Sequence, residues 1–275
     1  MPASEDGNRH DGPGLDRFEM VRRVPSHRLQ GAVTDICGYR ETTPGHFRTV
    51  EYASLTVPLV ISFAEPFAIG LGKDPSDNDR FASFAAGLYA GPVVIESFGG
   101  ACCVQINFTP LGARRFFGRP MSELTDRMVG LDDVLGVEGI ALRERLGNAP
   151  DWSSRFAIAE AFVADRLATA DRTHADIVWA YETIVSTRGR IRISTLAERL
   201  GWSRKHLTGK FSDAVGTGPK TLSRIVRFNH ALGLSRRASS DWADIAADCG
   251  YADQAHLVRE FRDLAGVTPT TVAAR

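Results

Sequence analysis

Apolar residues fall into two regimes along the 275-residue chain, and the period changes near position 110. From about Val21 to Pro110 the apolar runs are short, as at 55–63, 66–71, 92–98 and 101–108, with Gly, Pro, Asp and Ser between them. Runs of that length between turn formers predict β-strands. The run Cys102-Cys103-Val104-Gln105-Ile106-Asn107-Phe108 alternates toward its end as a half-buried strand does. That alternation assigns one cysteine of the pair to the inside and the other to the outside; a thiol sensor is the sharper option. Residues 73–80 read as a loop. Beyond Thr109-Pro110 the spacing becomes helical through Phe116, Phe117, Met121, Leu124, Met128, Leu131, Val134 and Leu135. Two longer helices are predicted at 137–146 and 152–170. In the second, Phe156, Ala159, Phe162, Val163 and Leu167 form one stripe, assigned to the core of its own domain, with a second copy of the chain as the other option.

The most specific pattern is an internal repeat near the C-terminus. Thr195-Leu196-Ala197 and Gly201-Trp202 return 49 positions later as Asp244-Ile245-Ala246 and Gly250-Tyr251. His206-Leu207, Phe211, Gly216 and Pro219 return 50 positions later as His256-Leu257, Phe261, Gly266 and Pro269. One residue has therefore been inserted between the halves of the second copy, where a turn is expected. Each copy predicts a helix-turn-helix, at about 194–212 and 242–262. Ser194 or Thr195 would cap the first helix, Leu196, Ala197 and Leu200 would face inward, and Gly201 would make the turn. Trp202 would plug the corner, and Ser203 would cap a second helix held by Leu207 and Phe211. Arg204, Lys205, Thr208 and Lys210 are then left pointing out. In the second copy Ile245, Ala246, Cys249, Gly250, Tyr251, Leu257 and Phe261 are expected inside, with Asp253, Gln254, His256 and Arg259 outside. Between the copies, 220–237 predicts a rod with Leu222, Ile225, Val226, Ala231 and Leu234 on its apolar side.

Charge adds to this picture only through its distribution. The chain is neutral overall, but 173–275 holds 15 Lys and Arg against 10 Asp and Glu, a net of +5, leaving 18 against 23 and a net of −5 in 1–172. A basic C-terminal part beside an acidic partner fits a nucleic-acid module joined to something else. Composition and punctuation divide the chain into a polar tail at 1–16, a domain at 17–172 that is β-rich to about 110 and helical after, and an all-α domain at 173–275. The fold class is α+β.

The repeat resembles the AraC/XylS family of bacterial transcription regulators. The residues that carry the resemblance are Thr195-Leu196-Ala197, Gly201-Trp202-Ser203, His206-Leu207, Phe211 and Gly216, then Asp244-Ile245-Ala246, Gly250-Tyr251, Leu257, Phe261 and Gly266-Val267-Thr268-Pro269. The resemblance covers about 173–275. It implies a helical module of two subdomains that binds double-stranded DNA upstream of a promoter and commonly activates transcription by contacting RNA polymerase. Its base-reading positions fall on Lys205, Thr208 and Gly209, and on Gln254, Ala255, Val258 and Arg259. Lys205 and Arg259 suit guanine edges and Gln254 suits adenine. Arg204, Lys210, Thr208 and His256 are better placed for phosphates. Gly209 departs from the longer polar residue often found there, and His206 reads as a structural residue at the helix start. Residues 17–172 loosely resemble the cupin-like domains that precede this module in many members. That implies a small-molecule effector, a homodimer contact, or both.

Chemistry for catalysis is not legible. His27 and His46 are nineteen apart with no His-x-His pair, and no phosphate-loop, dinucleotide or Gly-x-Ser-x-Gly fingerprint occurs. No catalytic residue, metal or cofactor is assigned. The competing class is a cupin-type metal-dependent enzyme fused to a DNA-binding module. Cys37, Cys102, Cys103 and Cys249 form no C-x-x-C pair, and the first twenty residues lack an apolar stretch, which points to a reducing cytoplasm.

Overall fold

The computed structural model describes residues 17–236 and 241–273, so the tail expected at 1–16 and the end of the rod at 237 lie outside the described residues. Ten strands come first: β1 (Phe18–Arg23), β2 (Val33–Glu41), β3 (Phe47–Glu51), β4 (Val57–Ser62), β5 (Phe67–Leu71), β6 (Arg80–Phe81), β7 (Phe84–Ala86), β8 (Val93–Ser97), β9 (Cys102–Phe108) and β10 (Met128–Gly130). They form a six-stranded sheet in the order β1-β2-β9-β4-β7-β10 and a four-stranded sheet in the order β3-β8-β5-β6, with antiparallel pairing throughout. The helices are α1 (Pro110–Phe117), α2 (Leu131–Asn148), α3 (Trp152–Thr169), α4 (Ala175–Ser186), α5 (Ile193–Arg199), α6 (Arg204–Val215), α7 (Pro219–Ser235), α8 (Trp242–Asp248), α9 (Gln254–Ala265) and α10 (Pro269–Ala273). The α+β class read from the sequence is the observed one.

Strand alternation divides the N-terminal core in two. Ile36, Leu59, Ile61, Val104 and Ile106 pack against Phe116, Phe156, Ala159 and Val163 of α1 and α3. The opposite faces, with Val60, Phe67, Ile69, Phe84 and Cys103, make a smaller cluster between the sheets. Cys103 is buried and Cys102 half-exposed, the split that alternation requires. In α3 the stripe serves its own core: Phe156, Ala159, Val163 and Leu167 are buried, and Phe162 stands edge-on to Phe116 at 6.1 Å.

One expectation needs correction here. Met128 belongs to β10 and pairs with Ala86, so the β structure continues past 110. Asp126, with φ +56°, turns the chain out of helical register after the short 3-10 turn at Met121–Glu123. The helix expected at 137–146 is the second part of α2, set off by the non-helical Gly136 (φ +57°) from a short helical stretch that begins at Leu131.

In the C-terminal part α7 acts as a shared wall. Its Leu222 and Val226 join the cluster of the first helix pair, with Leu196, Leu207 and Phe211. Its Ile225, Phe228 and Ala231 join that of the second pair, with Ile245, Leu257 and Phe261. Phe228, the largest of these and fully buried, is missing from the apolar side read off the sequence. The N-terminal domain touches both halves. Near α6, Ser122 donates to Asp213 at 3.2 Å and the Thr125 hydroxyl donates to the Gly216 carbonyl. Near α9, the Ala53 N–H donates to the Leu264 carbonyl at 2.9 Å while Tyr52 meets Phe228 edge-on at 6.5 Å.

Candidate nucleic-acid interface

The sequence repeat is a repeat of geometry. Helices α5 and α8 are each seven residues long, and α6 and α9 are each twelve. Between them the chain turns through Gly201 (φ +66°) in one copy and Gly250 (φ +76°) in the other. A side chain there would be strained, which is why both copies keep glycine. The aromatic after each glycine closes the turn with the same bond, Trp202 N–H to Ala197 O and Tyr251 N–H to Ala246 O, both 2.9 Å. The inserted residue of the second copy is taken up in the turn, 249–253 against 200–203, and the helices are left in phase.

Ser203 and Asp253 occupy equivalent N-caps. The Ser203 hydroxyl accepts the His206 N–H at 3.2 Å, and the Asp253 carboxylate accepts the His256 N–H at 2.7 Å. Each histidine is braced by the turn aromatic: His206 stands edge-on to Trp202 at 4.8 Å, and His256 to Tyr251 at 5.2 Å. His206 is exposed rather than packed under the helix, and His256 is half-buried with its Nδ1 3.4 Å from the Ala252 N–H. Arg204, Lys205, Thr208, Gly209 and Lys210 are all exposed on α6; on α9 Gln254, Ala255 and Arg259 are exposed and Val258 is half-buried. Arg204, Lys205, Lys210 and Arg259 have no acidic partner among the described residues. Arg224 on α7, by contrast, is committed to Glu260 at 2.7 Å and Asp263 at 2.9 Å. Both capped helices therefore carry uncommitted cations, while a paired one fixes α9 to α7.

Local details differ from the sequence reading at two points. The first helix starts two or three residues earlier than expected: Arg192 is its N-cap without a side-chain bond, and Ser194 and Thr195 lie inside α5. Gly250 is exposed, because a turn glycine presents its backbone to solvent while Tyr251 fills the corner. The 3.6-residue pattern alone does not mark where a short helix begins.

A second candidate site lies between the two sheets. A cavity of about 590 Å³ is walled by Phe18, Tyr39, Phe47, Phe67, Phe84 and Ile95, and Gln105 and Asn107 add polar groups from β9. Burial pushes the Cys37 thiol up to about 11 and raises Cys103 further, so both thiols in this wall are held protonated. His46 sits at the rim, stacked on Phe98 at 5.4 Å and 3.2 Å from Glu96, while His27 lies in the separate 3-10 turn at His27–Leu29. Among the described residues no three His, Cys, Asp or Glu side chains are grouped to hold a metal ion, and no helix is long and apolar enough to cross a membrane.

Residues 196–275 match the family model for a helix-turn-helix domain. Over 79 residues the chain is 30% identical to an uncharacterized HTH-type transcriptional regulator of Staphylococcus aureus strain MSSA476, a stretch that is 29% of this chain and 11% of that protein. The chain thus spans about a tenth of the length of the curated relatives it matches. Among solved structures, a probable AraC family transcriptional regulator from Rhodopseudomonas palustris is 25% identical, over 37% of this chain and 97% of that one, with a TM-score of 0.34. ToxT from Vibrio cholerae, solved with an unsaturated fatty acid bound, is 11% identical over 94% of this chain and 95% of its own, with a TM-score of 0.45. With the duplicated turn, the paired caps and the matched family model in one place, residues 196–275 of this chain are a helix-turn-helix domain.

Proposed function

We propose that the chain is a sequence-specific DNA-binding transcription regulator that reads two adjacent major-groove segments, with 173–275 as the DNA-binding part and 17–172 as a sensing or dimerising part. The observation that carries this reading is the pair of equally long, equally capped helices α6 and α9, each packed against α7 and each presenting cations without acidic partners. At about 1.5 Å per residue the 17 residues of α7 span roughly 26 Å. The reading requires α6 and α9 to enter groove segments about one DNA turn, roughly 34 Å, apart on one face.

The halves are unequal. In α9, Arg259 and Gln254 are base readers, for guanine and adenine edges respectively. In α6, Gly209 offers no side chain, so Arg204, Lys205, Thr208 and Lys210 serve chiefly grip and register. Ser203, Asp253 and His256 act by holding the helix starts. The cavity in the β domain would take an effector. The segment 52–53 joins the end of β3 to α7 and α9, so a change at the cavity wall would alter how the second reading helix is presented. By the family resemblance the output is activation through RNA polymerase, from a monomer or a homodimer.

Selection of bound fragments from random DNA, with and without candidate metabolites, tests the reading directly. Arg259→Ala should weaken the selected site by about 1–3 kcal/mol and relax preference at one base pair, whereas Lys205→Ala should lower affinity more uniformly and reduce the salt slope by about one. Equal loss on selected and random DNA for Arg259→Ala would refute base reading by that residue. Failure to enrich any sequence would refute the function.

A further inference from the structure

The segment Arg188-Gly189-Arg190-Ile191-Arg192 carries the chain from α4 into α5, and the fold sets it between the two helix-turn-helix units. Gly189 is buried with φ +70°, and it brings this turn down onto α7. A Cβ there would collide with the Ser223 carbonyl oxygen and stand 3.1 Å from Cγ of Arg227, so the close approach needs glycine. Ile191 packs inward on the core of the first unit, which leaves Arg190 and Arg192 on either side of it in solvent. Arg190 then reaches across to the second unit. Its Cδ and Cγ lie 3.2 and 3.3 Å from the place a Cβ on Gly250 would take, on the turn that leads into α9.

Three guanidiniums converge at this join. Arg188 donates to Nε2 of His230 on α7 at 2.7 Å, and the Arg227 guanidinium lies 5.6 Å from the centre of the Tyr251 ring. Nε of Arg227 is buried without a hydrogen-bond partner among the described residues. All three act on Cys249: burial pushes that thiol up to about 11, Asp248 adds to the rise, and Arg188, Arg190 and Arg227 oppose it. Among the described residues none of Arg188, Arg190, Arg192 and Arg227 has an acidic partner, whereas Arg224 on the same helix α7 has two. Like charges gathered in this way repel one another, and the repulsion is relieved when anions join them.

We propose that Arg188, Arg190, Arg192 and Arg227 form a clamp for the DNA backbone, binding phosphates that lie between the two major-groove segments. The Arg190 contact with Gly250 sets these cations beside the start of α9, the end that enters the groove. A duplex read by both helices runs past the join between the units, and its phosphates are the anions brought there. It carries one phosphate per about 1.7 Å of axis, which offers an anion to each cation, as a single small anion does not. Phosphate contacts position a protein on the duplex and carry no sequence, so the clamp sets the register of the two readers. This assignment rests on the DNA-binding reading of the module and adds a contact surface to it.

The test measures affinity of the full chain for its selected site and for random duplex across a range of potassium chloride. Arg188→Gln with Arg190→Gln should lower affinity for both duplexes alike, by about tenfold or more near about 0.1 M salt, and reduce the salt slope by about two. Arg188→Lys with Arg190→Lys should keep the slope, because the charge is retained; a merely structural role would be lost in both pairs. Neutral methylphosphonates placed between the two groove segments should weaken binding by the native chain and leave the glutamine variant little changed. An unchanged slope in the glutamine variant, loss of slope in the lysine variant, a loss confined to the selected site, or equal methylphosphonate effects in native and glutamine chains would overturn the clamp. Random duplex bound with an arginine-dependent slope but no site selected would keep the clamp and refute sequence-specific reading. A selected site bound unchanged by the glutamine variant would keep that reading and refute the clamp, and no binding to either duplex would refute both.

Discussion

Replacing Arg224 by alanine should loosen the second reading helix more than any surface change near it. Arg224 projects from α7 and donates from Nε to Glu260 at 2.7 Å and from an Nη nitrogen to Asp263 at 2.9 Å, both on α9. Glu260 is only 6% exposed, and its second oxygen has no partner among the described residues. Asp263 is largely exposed, so its arm contributes at most about 1 kcal/mol. The bond to Glu260 is another matter. Losing a hydrogen bond between charged groups costs about 1.5–3 kcal/mol, and stranding the buried carboxylate brings the total to about 3–5 kcal/mol. Glu260→Gln added to Arg224→Ala should recover part of the loss, because a neutral amide costs less to bury without a partner than a carboxylate does. Hydrogen exchange of the α9 amides, with urea unfolding, reads these changes. A loss under about 0.5 kcal/mol, or no recovery in the double variant, would refute the reasoning.

Two further outcomes follow from packing and burial. Gly209 is exposed in the middle of α6, and a Cβ added there meets nothing within 4 Å. Gly209→Ala should therefore stabilise α6 by about 0.5–1 kcal/mol in thermal or urea unfolding, and a destabilised variant would mean the helix is held in another conformation. At pH 8 the native protein should release thiol to a disulfide reagent slowly. Burial holds Cys37 and Cys249 near 11 and raises Cys102 and Cys103 as well, so raising the pH should speed the reaction; rapid labelling of Cys37 at pH 8 would contradict the closed cavity wall.

Which features were legible follows from the range of the interactions that set them. The two helix-turn-helix units were readable because their determinants are local and occur twice: a glycine that must take positive φ, an aromatic that closes the turn, and a cap three residues before the N–H it accepts. The start of α5 was misplaced because Arg192 caps it without a side-chain bond, leaving no residue type to mark it. The strand at Met128 was hidden because its apolar residues also fit a helical period, and only pairing with Ala86 of β7 decides between them.

The sequence by itself determined the module: local conformational preference and repeated periodicity specify two helix pairs and which of their faces stay in water. Tertiary structure alone decided three things. It placed Phe228 of α7 against Tyr52 of the β domain, committed Arg224 to α9 while leaving Arg259 free, and opened a cavity lined by strands of both sheets. Each depends on side chains distant in sequence, whose meeting no period records, and whose charges are satisfied or left open only by what the fold brings beside them.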